Sequence, residues 1–329
     1  MKGLTRATFA LLASAALGFA QTNSMPAPAG PMQYPQNSTY NVAPPPRPQP
    51  GMASPGMGSP GMVNYIEGQV TVDNRPLSSS GPVVMQPGQA LATANGFAEI
   101  LLTPGAFLRV GPHSQIRLIS SGLAETRAQL DRGTAMVEVD QFIKSTNLAI
   151  LVKGATAQID KQGLYDFDAD QQAIRVLDGK LTVSEAGGTK SIGRDEQLLL
   201  ASAKPLKARG SNPQLVKAEP LYVWSEARSQ AESQANVALA QNFAAYGGWF
   251  GPGWYWDPYW SFYSYLPGDG FFYSPFGWGF FSPGFVGYYG GFRYGHFGHY
   301  AGYGHVGGVN GVYGAGFHAA GFHGGGGRR

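Results

Sequence analysis

The residues with the most evident chemical potential lie in the C-terminal quarter. His296, His299 and His305 follow an H-x2-H-x5-H spacing, with His318 and His323 beyond. Neutral imidazoles on a glycine-rich chain can converge on Zn2+, Cu2+ or Ni2+, with little selectivity where no hydrogen bonds orient the rings. A tail biased towards Gly, Tyr and His gives the same spacing with no ligand, and that reading carries the greater weight. Upstream, GPGWYWDPYW (251–260) sets Trp254, Trp256, Tyr259 and Trp260 among two glycines and two prolines. Nucleobase binding would add a basic groove to such rings. Residues 246–292 contain no Lys or Arg, which points away from nucleic acid and towards carbohydrate, peptidoglycan or self-association.

DFDAD (166–170) spaces Asp166, Asp168 and Asp170 as a Ca2+ loop does, but the glycine and glutamate of an EF-hand are missing. Solvent-facing strand and turn acids are the simpler reading. PGM recurs at Pro50, Pro55 and Pro60. Thioethers in series can bind Cu(I), although a low-complexity spacer accounts for the repeat. No HExxH, P-loop, nucleophile elbow or GxGxxG in a βαβ setting occurs. The expected class is therefore non-enzymatic, with no cofactor.

The elements that would position these residues fall into six stretches. Residues 1–20 read as a secretory signal peptide: Lys2 and Arg6, an apolar run from Ala7 to Ala20, and small residues at the cleavage site. A membrane anchor is the alternative, but the run is short for about 30 Å of hydrocarbon. Residues 21–62 are rich in Pro, Met and Gly and are expected as a disordered linker. Charged residues make up 13% of the chain and the formal net charge is +3, with no basic arm for nucleic acid. The absence of Cys rules out disulfides and thiolate metal sites.

From 63 to 206 the pattern alternates with period two between Gly, Asp and Asn turns, which predicts an all-β sandwich or roll of short antiparallel strands. Leu181 and Val183 face in while Lys180 and Thr182 face out; Tyr165 and Phe167 alternate with Asp166 and Asp168; Ile174 and Val176 flank Arg175. Asp178-Gly179 predicts a type I′ hairpin. GQVTV at Gly68 and GKLTV at Gly179, each followed by Gln-x-Leu (Gln89–Leu91, Gln197–Leu199), suggest similar β units at the two ends of one domain. After a linker at 207–221, residues 222–245 predict a helix whose Trp224, Ala227, Ala231, Ala235 and Ala238 share one face, expected to pack on the β domain. Residues 246–329 are expected as a Gly/aromatic/His low-complexity tail, rings on a flexible backbone rather than a membrane span or ordinary core.

The segments PGQALATANGFAEILLTPGAFLRVGPHSQIRL (87–118), LDRGTAMVEV (130–139) and Leu151 through IRVLDGKLTVS (174–184) resemble the periplasmic FecR domain found in bacterial iron-dicitrate regulators. The shared features are turn glycines and strand alternation over 120–140 residues, so the resemblance implies a fold more than an activity. Regulators of that family carry a sigma-factor-binding segment and a transmembrane helix before the domain; a signal peptide and Pro-rich linker stand there instead. The resemblance thus implies an exported FecR-domain protein of a Gram-negative-type bacterium, in the periplasm, cell envelope or medium. Its tail would attach to envelope polymer, outer membrane, another envelope protein or other copies of itself. The alternatives are a periplasmic ligand or metal sensor acting through a membrane partner, and a matrix component that assembles through 246–329.

Overall fold

The computed structural model describes residues 57–78, 83–186, 188–200 and 206–288. The signal-peptide reading, the linker up to residue 56 and His296, His299 and His305 lie outside the described residues. The first half of the β domain comprises β1 (Met62–Glu67), β2 (Val70–Val72), β3 (Arg75–Pro76), β4 (Val83–Val84), β5 (Ala90–Thr93), β6 (Phe97–Leu101), β7 (Ala106–Val110), β8 (Gln115–Ser121) and β9 (Glu125–Arg132). The second half comprises β10 (Thr134–Val139), β11 (Asn147–Val152), β12 (Ala155–Ile159), β13 (Gly163–Asp168), β14 (Ala173–Asp178), β15 (Lys180–Glu185), β16 (Gly188–Gly193), β17 (Glu196–Leu199) and β18 (Arg209–Gly210).

These strands form two nine-stranded sheets. Sheet A runs β18-β17-β14-β13-β10-β7-β6-β1-β4, and sheet B runs β16-β15-β12-β11-β9-β8-β5-β2-β3. The pairings are antiparallel except β9 with β11. Alternation places Ile100, Leu108, Val137, Tyr165 and Val176 of sheet A against Leu91, Ile116, Leu130, Ile150 and Val183 of sheet B in one aliphatic core. The chain is all-β, as its alternation predicts, with a helical and hairpin layer added to one side.

The internal echo has a topological counterpart. Gly68 and Gly179 both adopt positive φ (71° and 93°) and each carries the chain from sheet A to sheet B. A Cβ on Gly68 would sit 2.5 Å from the Asn95 carbonyl oxygen, and one on Gly179 2.6 Å from that of Gln162. Each glycine is followed by a hairpin in sheet B (β2–β3, β15–β16) and a return to sheet A beside the starting strand (β4 on β1, β17 on β14). The two units close opposite ends of the sandwich. Two sequence expectations are corrected here. Asp178-Gly179 is a crossing between sheets, because only the glycine has the positive φ that a type I′ turn needs at both positions. Gln89–Leu91 is not the partner of Gln197–Leu199: the former enters β5 in sheet B, the latter β17 in sheet A.

The layer over sheet A consists of α1 (Pro213–Lys217), α2 (Pro220–Tyr246), the hairpin β19 (Gly253–Asp257) with β20 (Phe262–Leu266), the hairpin β21 (Phe271–Tyr273) with β22 (Gly279–Phe281), and α3 (Pro283–Tyr288). Pro220 starts α2 at a position where its missing N–H is harmless, and Gly247, at φ 75°, ends it. The expected Ala face is not the docking face. Of that face only Ala235 is fully buried and Ala227 and Ala238 are exposed, while Ser225, Arg228, Ser229, Glu232, Ser233 and Asn236 are buried, because the sheet surface beneath them is charged.

Residues 253–286 also depart from expectation. Trp254, Tyr263 and Tyr265 pack with Met62, Leu101 and Phe107 in a second core. The end of the expected linker belongs to the fold as well: the Gly58 N–H donates to the Trp254 carbonyl at 3.0 Å, and Met62, from the last PGM repeat, is buried.

Candidate functional site

Every second residue of sheet A faces away from the aliphatic core. Cα pairing lines up Tyr65, Glu99, Arg109, Met136, Asp166, Arg175 and Gln197 in a row across β1, β6, β7, β10, β13, β14 and β17. Alternation reads such a row as a solvated face. The α2 layer covers it instead, so its charges are buried and must find partners within the protein.

Arg109 is the centre of the network. Its Nε donates to Glu99 Oε2 at 2.8 Å, its Nη2 to Glu232 Oε2 at 3.1 Å, and its Nη1 to Glu138. Arg228 of α2 donates to Glu99 Oε1 at 2.9 Å and Glu232 Oε1 at 3.4 Å. Its guanidinium also lies against the faces of Tyr65 and Phe262, 4.1 and 4.2 Å from their centroids, where the two rings meet nearly at right angles. The Ser229 hydroxyl donates to Glu138 at 2.6 Å, and Asn64 Nδ2 to Glu99 at 2.8 Å. Asp140 shares the face of Glu138 two residues on. It is 1% exposed, and neither of its oxygens has a donor in hydrogen-bonding geometry.

Electrostatics sort these carboxyls into two kinds. Burial raises Glu99, but Arg228 and Arg109 outweigh it and hold Glu99 well below the usual carboxylate range. Burial, reinforced by the Glu99 charge, pushes Glu232 well above that range, and burial beside Glu138 does the same to Asp140. Further along the row, burial raises Asp166 to about 7 despite its 2.6 Å bond from Arg175. The expectation of solvent-facing acids at 166–170 is therefore overturned for Asp166 and Asp168, both buried, and holds for exposed Asp170. Asp168 Oδ1 accepts the N–H groups of Asp170 and Gln171, and Asp170 accepts that of Gly133. These oxygens shape a turn. Among the described residues no three His, Asp or Glu side chains converge as metal ligands.

Two asparagines stitch the layer on. Asn64, at a bulge in β1, accepts the Tyr263 N–H at 2.7 Å and donates to its carbonyl at 2.9 Å. Asn236 of α2 accepts the Phe281 N–H at 2.8 Å and donates to the carbonyls of Tyr265 and Phe281. Each side chain does for a neighbouring strand what a ladder partner would do.

The rings named in the sequence separate into two environments. Trp254 is 1% exposed and belongs to the second core; Trp256 is half-buried, edge-on to Tyr263 at 5.2 Å. Tyr259, 86% exposed, and half-buried Trp260 form the tip of the β19–β20 hairpin. There Asp257 Oδ1 accepts both of their N–H groups, at 2.8 and 3.0 Å, fixing the turn. From the tip a row of rings continues along the rim of the layer, with centroids 5.0–6.3 Å apart: Tyr259, Trp260, Phe262, Tyr65, Trp224 and Phe97. Trp224 donates its indole N–H to Glu67 at 2.8 Å. The sequence places Trp224 only on a helix face and gives no signal for Tyr65 or Phe97, because only the fold brings 65, 97 and 224 beside 260.

No protein-family model matches the chain, so the resemblance to the FecR domain has no such match behind it, and no curated protein matches either. Among solved structures, two crystal structures of a "putative anti-sigma factor" from Parabacteroides distasonis ATCC 8503 are similar, at 15% and 14% identity and a TM-score of 0.34 each. The similarity covers 39% of this chain and 61% of that one, under two thirds of its length.

Proposed function

We propose that this chain is an exported, non-catalytic cell-envelope protein that binds envelope polymer or an envelope partner through the aromatic rim of its α2 layer. The observation that carries this reading is the tip of the β19–β20 hairpin. A fixed turn holds Tyr259 almost wholly in solvent at the end of a row of rings, where a stacking partner can reach it. An exposed ring held by backbone hydrogen bonds loses little conformational freedom on binding. The absence of Lys and Arg from 246–292 favours a glycan or protein over nucleic acid. The N-terminal segment supports export.

The test is fractionation of cells making the full chain or its Tyr259→Ser variant. The wild type pellets with the envelope. The variant shifts to the soluble fraction with its thermal unfolding unchanged, because Tyr259 is exposed. A variant that pellets as the wild type does removes the hairpin tip from the contact surface.

A further inference from the structure

The network under α2 carries more acid than base. Glu99, Glu138, Asp140 and Glu232 face Arg109 and Arg228, so four carboxyls against two guanidinia leave two without a counter-charge. All six groups are buried, and an isolated ionised carboxylate in such surroundings takes up a proton instead. Glu232 comes from the helix and Asp140 from the end of β10, so undocking α2 returns both to water, where they ionise near pH 4. Docking and proton uptake are therefore the same event.

We propose that the α2 layer is a proton-operated latch, closed over sheet A with two protons held in the network and released as pH rises. The groups that face the network are few enough to name. β1 supplies Asn64 and Tyr65; β6, Glu99; β7, Arg109; β10 and its end, Glu138 and Asp140; the helix, Tyr222, Arg228, Ser229 and Glu232. The hairpin β19–β20 brings no ionised side chain against it: Ser264 donates to the Glu232 carbonyl, and Tyr265 to Gln141. Near the start of α2, Asp166, Asp168, Arg175 and Glu219 form a separate group in which Asp166 is raised to about 7. The direction is fixed. A carboxyl raised on docking contributes stability that is complete below its undocked pKa and is lost as pH rises through its docked pKa. Each proton changes the docked-to-undocked ratio by up to about tenfold per pH unit within that window.

The chain has no cysteine, so a dye pair can be placed on the full protein through Ala238→Cys on the exposed side of α2 and Lys190→Cys on β16, both exposed. Energy transfer in a urea series from pH 5 to pH 9 reports docking. In the wild type the midpoint falls as pH rises across the series. In Glu232→Gln/Asp140→Asn the fall is shallower, with the Asp166 contribution left. Equal slopes in the two proteins, or a wild-type midpoint that does not fall, would overturn the latch. If the double variant does not fold, infrared difference spectra of the wild type at pH 7 decide the matter. Protonated-carboxyl absorption that disappears on unfolding is expected, and its absence overturns the proposal.

Discussion

Leu108 and Arg109 are neighbours on β7, and both are fully buried. Leu108 enters an aliphatic core made from side chains of both sheets, where shape and volume decide stability. Arg109 enters a second interior of charged and polar groups, where its guanidinium is shared by three carboxyls and pairing decides what can be buried. The inner face could accept many aliphatic sequences of similar volume. The outer face accepts α2 because Arg228, Ser229 and Glu232 complement Glu99, Arg109 and Glu138. The first kind of interior stabilises the domain; the second determines what may lie on it.

The most severe way to break this comparison is Arg109→Met. Three carboxyls lose their shared partner, and removal of one member of a buried ionic network costs about 3–5 kcal/mol. Leu108→Ala, by cavity formation, costs about 2–5 kcal/mol, so magnitude alone does not separate the two. Denaturant unfolding at several pH values does: the Leu108→Ala penalty stays constant, whereas the Arg109→Met penalty shrinks on acidification as Glu99, no longer held low by Arg109, becomes able to take a proton. A smaller effect is expected from Asn236→Ala. It removes the bonds that Asn236 makes to the Phe281 N–H and to the carbonyls of Tyr265 and Phe281, for about 1–3 kcal/mol. Amide hydrogen exchange in 253–286 should rise while the strands of sheet B stay protected. The smallest is Ser229→Ala, which removes one bond to Glu138, about 1 kcal/mol, and should lower the docking midpoint without altering its pH slope.

The sequence made one of these interiors legible and concealed the other. Tyr165, Phe167, Ile174, Val176, Leu181 and Val183 are buried, as their alternation predicts. The same alternation says that Asp166 and Arg175 face away from that core but cannot say what covers them. A signal was present in α2. Ser225, Arg228, Ser229, Glu232, Ser233 and Asn236 recur at spacings of three and four as regularly as any apolar stripe. A polar stripe ordinarily faces water, so the pattern points to the Ala face as the contact instead. Glycines and prolines at 246–288 concealed the two hairpins, which depend on Asn64, Asn236 and Ser233 from outside the segment for their hydrogen bonds.

The bond between Asn64 and Tyr263 spans 199 positions. Gly58 and Met62 likewise meet Trp254 only after nearly the whole described chain has been made. The first described strand is thus completed by residues near the end of the described chain. Contacts at such separation must overcome a large loop-closure entropy before they stabilise anything, which slows folding. During synthesis the layer that covers the charged face of sheet A emerges only after every strand of that sheet.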